Sequence, residues 1–196
     1  MLVFACTVAA PAAQPPGMIL VAKSGDVYYA NGSASTPTRV RLKTSLPEGA
    51  AAITGPGGRA SIRFPNGHTI ALGSDTRVRA TYLAWGTPTI DDATIVLESG
   101  ALAFDVKRMT GKAASFRIRT KDVAIPVRYG RGIVVLDYDR TRLVCRACRP
   151  SIYNFGTRVT RVGSTASFIF VAGQVPRAYH ARLGEPEIAQ FGPLAR

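Results

Sequence analysis

The chain has 196 residues, 46% of them apolar, and a formal charge of +13 from 25 Lys plus Arg against 12 Asp plus Glu. That length holds one domain with a sizeable core, and no uncharged apolar run of roughly 18 residues exists to form a transmembrane helix. The basic balance favours polyanionic surroundings such as nucleic acid, lipopolysaccharide, anionic lipid or an acidic protein, although an arginine-rich composition spread over solvated strand faces is the reading that the spacing of the cations supports.

Residues 1–17 form an apolar run ending in small residues and a Pro-rich break. They resemble the back half of a secretory signal, with an A-x-A type site at Ala10-Pro11-Ala12 and no basic n-region. The expectation is a truncated signal peptide and a mature protein that is periplasmic or secreted. Lipidation at Cys6 is the lesser reading, since only five residues precede it.

From Met18 the chain alternates short strands with glycine turns, giving an all-β domain over 18–175. Met-Ile-Leu-Val-Ala, the turn at Ser24-Gly25, Asp-Val-Tyr-Tyr-Ala and a second turn at Asn31-Gly32 read as a hairpin. Gly55-Pro-Gly-Gly58 reads as a turn and not a phosphate cradle, because no Lys-Ser or Lys-Thr follows and no helix begins there. In Ala60-Ser-Ile-Arg-Phe-Pro-Asn-Gly-His-Thr-Ile-Ala-Leu72, Ile62 and Phe64 share one face and Ile70 and Leu72 another. Asn66-Gly67 between them is a two-residue hairpin signal of type I′.

Residues 83–94, which hold the only tryptophan, Trp85, read as an excursion between strands, with Trp85 covering a core edge or anchoring a partner. Ile95 to Val106 repeats the strand and turn device, with Leu102, Phe104 and Val106 in phase after a turn at Ser99-Gly100. Strands follow near 115–120, 123–129 and 132–138. Gly132-Ile-Val-Val-Leu136 is apolar on both faces, as a central covered strand would be, and Phe168-Ile-Phe-Val171 is a second such run. Beyond Gln174 alternation stops, and 176–196 reads as a tail that packs loosely or turns once as a helix around Pro186 to Gln190.

The cations alternate with apolar residues. Arg117, Arg119 and Lys121 project opposite Phe116 and Ile118, as do Arg77 and Arg79 around Val78, and Arg39 and Arg41 around Val40. Three basic outer faces of this kind have the means to merge into one partner surface. The 16 aromatic residues lie mostly at core positions, so the stacking platforms of single-strand nucleic-acid binders are lacking.

Reactive groupings are few. Cys145-Arg-Ala-Cys148 sits between two strands, which favours a small structural disulfide in an oxidising compartment over a redox site at a helix N-terminus. Arg142, Arg146 and Arg149 nearby would stabilise a thiolate, which keeps thiol-disulfide exchange as an alternative. With two histidines and no second cysteine pair, neither a metal site nor a cofactor site is expected. His68 and His180 have no evident carboxylate or serine partner, and Asp137 and Asp139, which share a strand face as a pair would, are better read as balancing Arg140 and Arg142, so no enzyme assignment follows.

With the strands placed, the sequence resembles the FecR family. Ala60 to Leu72 followed by Thr76-Arg-Val is similar to its alternating strand, Asp/Asn-Gly turn, strand and Thr-x-Val, which puts Asn66 and Gly67 at the turn. Leu97-Glu-Ser-Gly-Ala-Leu-Ala-Phe-Asp-Val106 matches its Leu-x-x-Gly-x-Leu-x-Phe-x-Val, which puts Gly100, Leu102 and Phe104 at its core. Phe116-Arg-Ile-Arg-Thr120 matches Phe-x-Val-x-Thr, Val21 to Val27 the opening strand, and Phe170-Val-Ala-Gly-Gln174 a closing Leu-x-x-Gly-Gln. The family's Gly-Thr-x-Phe element is replaced by Ile125-Pro-Val-Arg-Tyr-Gly-Arg-Gly-Ile133. The resemblance implies a β-solenoid-like or twisted β-roll of short strands, with a β-sandwich as the alternative. It also implies a non-enzymatic extracytoplasmic sensing or binding task, with a protein or an anionic envelope component as partner. The family's full-length regulators carry an anti-sigma helix bundle, a transmembrane helix and a small C-terminal domain; no stretch of these 196 residues matches them, so the iron-uptake anti-sigma role is not implied. Nucleic-acid or polyanion binding is the second expectation.

Overall fold

The computed structural model describes residues 18–32, 35–87, 90–109, 115–146, 148, 152–154, 157–159, 165–171, 174, 176–178 and 186–191. Its strands in chain order are β1 (Met18–Ser24), β2 (Val27–Asn31), β3 (Thr38–Arg39), β4 (Ser45–Leu46), β5 (Ala50–Thr54), β6 (Arg59–Arg63), β7 (Thr69–Leu72), β8 (Arg77–Thr87) and β9 (Ile90–Val106). The second half adds β10 (Ser115–Arg119), β11 (Val123–Val127), β12 (Gly130–Leu136), β13 (Thr141–Arg146), β14 (Ile152–Asn154), β15 (Thr157–Val159), β16 (Thr165–Phe170) and β17 (Arg177–Ala178), then one short helix, α1 (Pro186–Ala189). The protein is all-β.

Two layers share these strands. Layer I runs β4-β1-β6-β7-β9-β12-β13-β16-β17. Layer II runs β3-β2-β5-β8-β9-β10-β11-β14-β15. All pairings are antiparallel except β9 with β10. The chain weaves between layers, commonly after two strands, and neither layer closes on itself. One core lies between them, including Leu20, Ile62, Phe64, Ile70 and Phe104 from layer I and Val78, Ile95, Phe116 and Ile125 from layer II. Phe64 and Phe116 meet edge to face across it, with centroids 5.2 Å apart, the geometry aromatic quadrupoles prefer.

β9 belongs to both layers. Val96 to Ser99 pair with β8 in layer II, whereas Gly100 to Val106 pair with β12 in layer I. The device at Ser99-Gly100 is therefore a corner and not a reversal. Gly100 has φ +80 there, and a Cβ on it would strike Thr76, so glycine alone fits. The Ser24-Gly25 turn behaves likewise. β1 and β2 do not pair with each other but go to different layers, with Gly25 at φ +66, which corrects the expected hairpin.

Asn66-Gly67 does turn a hairpin, β6 to β7, but only Gly67 has positive φ. The Gly67 amide donates to the Phe64 carbonyl and the Phe64 amide to that of His68, both at 2.9 Å. Pro65, with φ preset for the first central position of an ordinary turn, displaces the type I′ form. Residues 83–94 are not an excursion either: β8 and β9 run on as a long ribbon through Ala84 opposite Asp92. The side chain of Trp85, residues 1–17 and His180 lie outside the described residues.

The outer face of layer I is half covered. Ile188, fully buried, and Phe191 pack on Ala101, Ala103, Ile133, Val135 and Val144. β12 is thereby covered on both sides, which accounts for its unbroken apolar run. The Ser74 amide donates to Gln190 Oε1 at 2.8 Å and anchors the segment.

Candidate functional site

Strand pairing brings the basic side chains expected from alternation onto one surface. In layer II, Arg77 and Arg79 on β8 and Arg117 and Arg119 on β10 flank β9 and share its outer face: Arg79 and Arg119 both stand opposite Val96. Arg39 joins the row through Tyr28 and Ile53. Lys121 lies at the corner after β10, beside the buried Asp122, with their charged atoms 3.3 Å apart.

Glu98 and Asp92, on the strand between β8 and β10, and Asp26, at the corner before β2, are the acidic partners. Glu98 receives the Nε–H groups of both Arg77 and Arg79 at 2.6 Å. Partial burial acts to raise the Glu98 carboxyl, but the hydrogen bonds from Arg79 and Arg77, with their charges, prevail and hold it below the usual carboxylate value. Asp92 accepts Arg117 Nη1 at 3.2 Å and the Ser115 hydroxyl at 2.7 Å, and Asp26 pairs with Arg39 at 2.8 Å. Alternation places the cations, whereas their acidic partners are set by strand register, which no local pattern displays. The surface is basic in composition and largely compensated in charge, which weakens its pull on a polyanion.

Layer I differs. Lys23, Arg59 and Arg63, on β1 and β6, have no acidic partner among the described residues. Beside the first two lies an open apolar groove of about 260 Å³, whose far wall is Gln190 and Phe191.

The other singled-out residues are structural in setting. Cys145 and Cys148 are joined by a disulfide and are 1% and 0% exposed, so neither sulfur meets solvent. Leu102 and Phe104 are core residues of β9. His68 is buried; its Nδ1 accepts the Lys107 amide at 3.1 Å and its ring meets Phe116 edge on. Asp137 accepts Arg142 Nε at 2.8 Å and Arg140 Nε at 3.4 Å, and Arg142 also reaches Glu187 at 3.6 Å. Among the described residues, no group of three or more His, Cys, Asp or Glu is placed to hold a metal ion, and no helix is long and apolar enough to cross a membrane.

Two packed β layers joined at corners, with paired charges on one outer face and a cation-bordered groove on the other, make this an all-β protein. The model of the family described as FecR protein matches residues 50–147, half of the chain, and the chain belongs to that family. Comparison with curated proteins finds no match. Among solved structures, a crystal structure of a candidate anti-sigma factor from Parabacteroides distasonis is similar, at 16% identity and a TM-score of 0.52. The match covers 65% of this chain and 59% of that one. A second crystal structure of the same description is 17% identical, with the same TM-score and coverage. The chain thus spans less than two thirds of that protein's length, and the likeness is one of fold.

Proposed function

We propose that the chain is an extracytoplasmic signalling module that works by binding a protein partner, without catalysis of its own. The observation that carries this reading is the FecR match over residues 50–147, which spans β5 to β13 of the two layers. The anti-sigma description of the fold's solved neighbours supports a regulatory task. The buried disulfide supports an oxidising compartment. On layer II, the pairing of Arg77, Arg79 and Arg117 with Glu98 and Asp92 favours a protein over a polyanion at that face, because phosphate neutralisation draws on cations that are not already paired.

Photo-crosslinking in the native cell tests this reading. A crosslinking amino acid in place of Arg119 on layer II, and separately of Ser61 on layer I, is predicted to give protein-sized, protease-sensitive adducts in the envelope fraction from at least one position. Adducts that collapse on nuclease treatment, or none from either face, would contradict it.

A further inference from the structure

Across the outer face of layer I runs a row at one register level in which the small side chains of Ala22, Ser61, Ala71 and Ala103 give way to Ile133 and Val144. The C-terminal segment fills the row over Ala103, Ile133 and Val144 by seating Ile188 and Phe191 there. Over Ala22, Ser61 and Ala71 it stays open, and the step down from the Phe191 ring makes the groove of about 260 Å³. The groove is composite, with its floor from the first strands of the roll and its wall from the last described residues. The Ser74 amide to Gln190 bond locks one to the other.

Size and charge define what it accepts. Its volume falls short of the roughly 300–1,000 Å³ of pockets that enclose whole small molecules, and it suits one or two large apolar side chains anchored from a neighbouring chain. A long acyl chain would overrun it. Lys23 and Arg59 border it, and Arg63 lies further along β6. Asp26, just past β1, is drawn away to Arg39. The cations at this groove thus lack the acidic partners that Glu98 and Asp92 provide to most of those on the opposite layer.

We propose that this groove is the partner-docking site, taking the apolar side chain of an acidic polypeptide segment, with Lys23 and Arg59 facing the acidic residues that flank the anchor. The proposal rests on the protein-binding reading above and adds the surface and the chemistry of the partner. Small floor residues admit the anchor, Phe191 packs against it, and the cations speed encounter and fix its direction.

The test is an amide NMR titration of the full chain with the synthetic peptide Glu-Glu-Leu-Phe-Glu-Glu, alongside Glu-Glu-Gly-Ser-Glu-Glu and Lys-Lys-Leu-Phe-Lys-Lys, up to about 1 mM. Shifts from the first peptide are predicted to cluster at Ser61, Ala71 and Gln190, and the other two to bind about tenfold more weakly. Ser61→Phe, which fills the groove, and Lys23→Glu with Arg59→Glu are each predicted to weaken binding about tenfold, with melting temperatures confirming that each variant is folded. Shifts centred on Arg117 and Arg119, equal binding of the polar acidic peptide, or no binding would overturn the groove. So would selective binding of phosphatidylglycerol vesicles that Ser61→Phe abolishes while peptide binding persists. Crosslinks from Arg119 alongside a failed titration would leave the protein-binding reading standing and remove only this site.

Discussion

The Ala101 amide donates to Thr76 Oγ1 at 3.0 Å, and the Thr76 hydroxyl lies at the same distance from the carbonyls of Ser74 and Ala101. Thr76 is thus the hinge pin on which β9 turns from layer II into layer I, with Gly100 pressed against it. Thr54 does the same one corner earlier, accepting the Thr76 amide at 2.9 Å and donating to the Gly73 carbonyl at 2.6 Å.

Gly100→Ala should therefore cost about 2–4 kcal/mol, from left-handed backbone strain and from a Cβ driven into Thr76 and the Asp75 carbonyl. Gly67→Ala, at φ +82 with nothing within 4 Å of its Cβ, should cost about 1 kcal/mol. Urea denaturation of the pair separates a corner from a simple turn, and equal losses would contradict the corner.

Thr76→Val keeps the shape and removes the hydroxyl, leaving the Ala101 amide buried without its acceptor. A loss of about 1–3 kcal/mol follows, with Thr76→Ser retaining most of the stability in the same denaturation assay.

These corners explain what the sequence could and could not reveal. Alternation is local, so the strands at 59–63, 69–72, 115–119 and 123–127 were legible, as was the core role of Leu102 and Phe104. A positive-φ glycine serves a hairpin and a corner equally well, so Gly25 and Gly100 left the destination of the next strand undecided. Alternation likewise assigned Arg77, Arg79, Arg117 and Arg119 to outer faces. Only the register of β9 reveals that Glu98, shared by Arg77 and Arg79, and Asp92, beside Arg117, pair with three of them. The groove was not legible, because its wall reaches its floor through contacts such as Gln190 to Ser74, 116 residues apart.

Glu98 gives the roll a pH dependence of defined sign. Its folded carboxyl titrates below the usual 4.5, so its bonds to Arg77 and Arg79 contribute stability that is complete above the unfolded value. That contribution is lost as pH falls through the lowered folded value. Denaturation midpoints of the wild type and Glu98→Gln, compared from pH 6 down to pH 3, should converge as the pH drops. A gap that widens towards acid would contradict the clamp.

Ile188→Ala should destabilise by about 2–4 kcal/mol, since its side chain is wholly buried on the outside of layer I. It should also disturb the amides of Ser74 and Ala71 in NMR spectra. A surface-like loss below about 0.5 kcal/mol would show that the C-terminal segment does not dock.

The central claim, a binding module built for an oxidising compartment, is tested most directly by fractionating native cells and unfolding each fraction straight into an alkylating maleimide, because both cysteines are buried in the folded chain. The mature chain is predicted in the envelope or secreted fraction, with Cys145 and Cys148 unlabelled until a reductant is added under denaturing conditions. A chain in the cytosol with both thiols labelled at once would contradict the account.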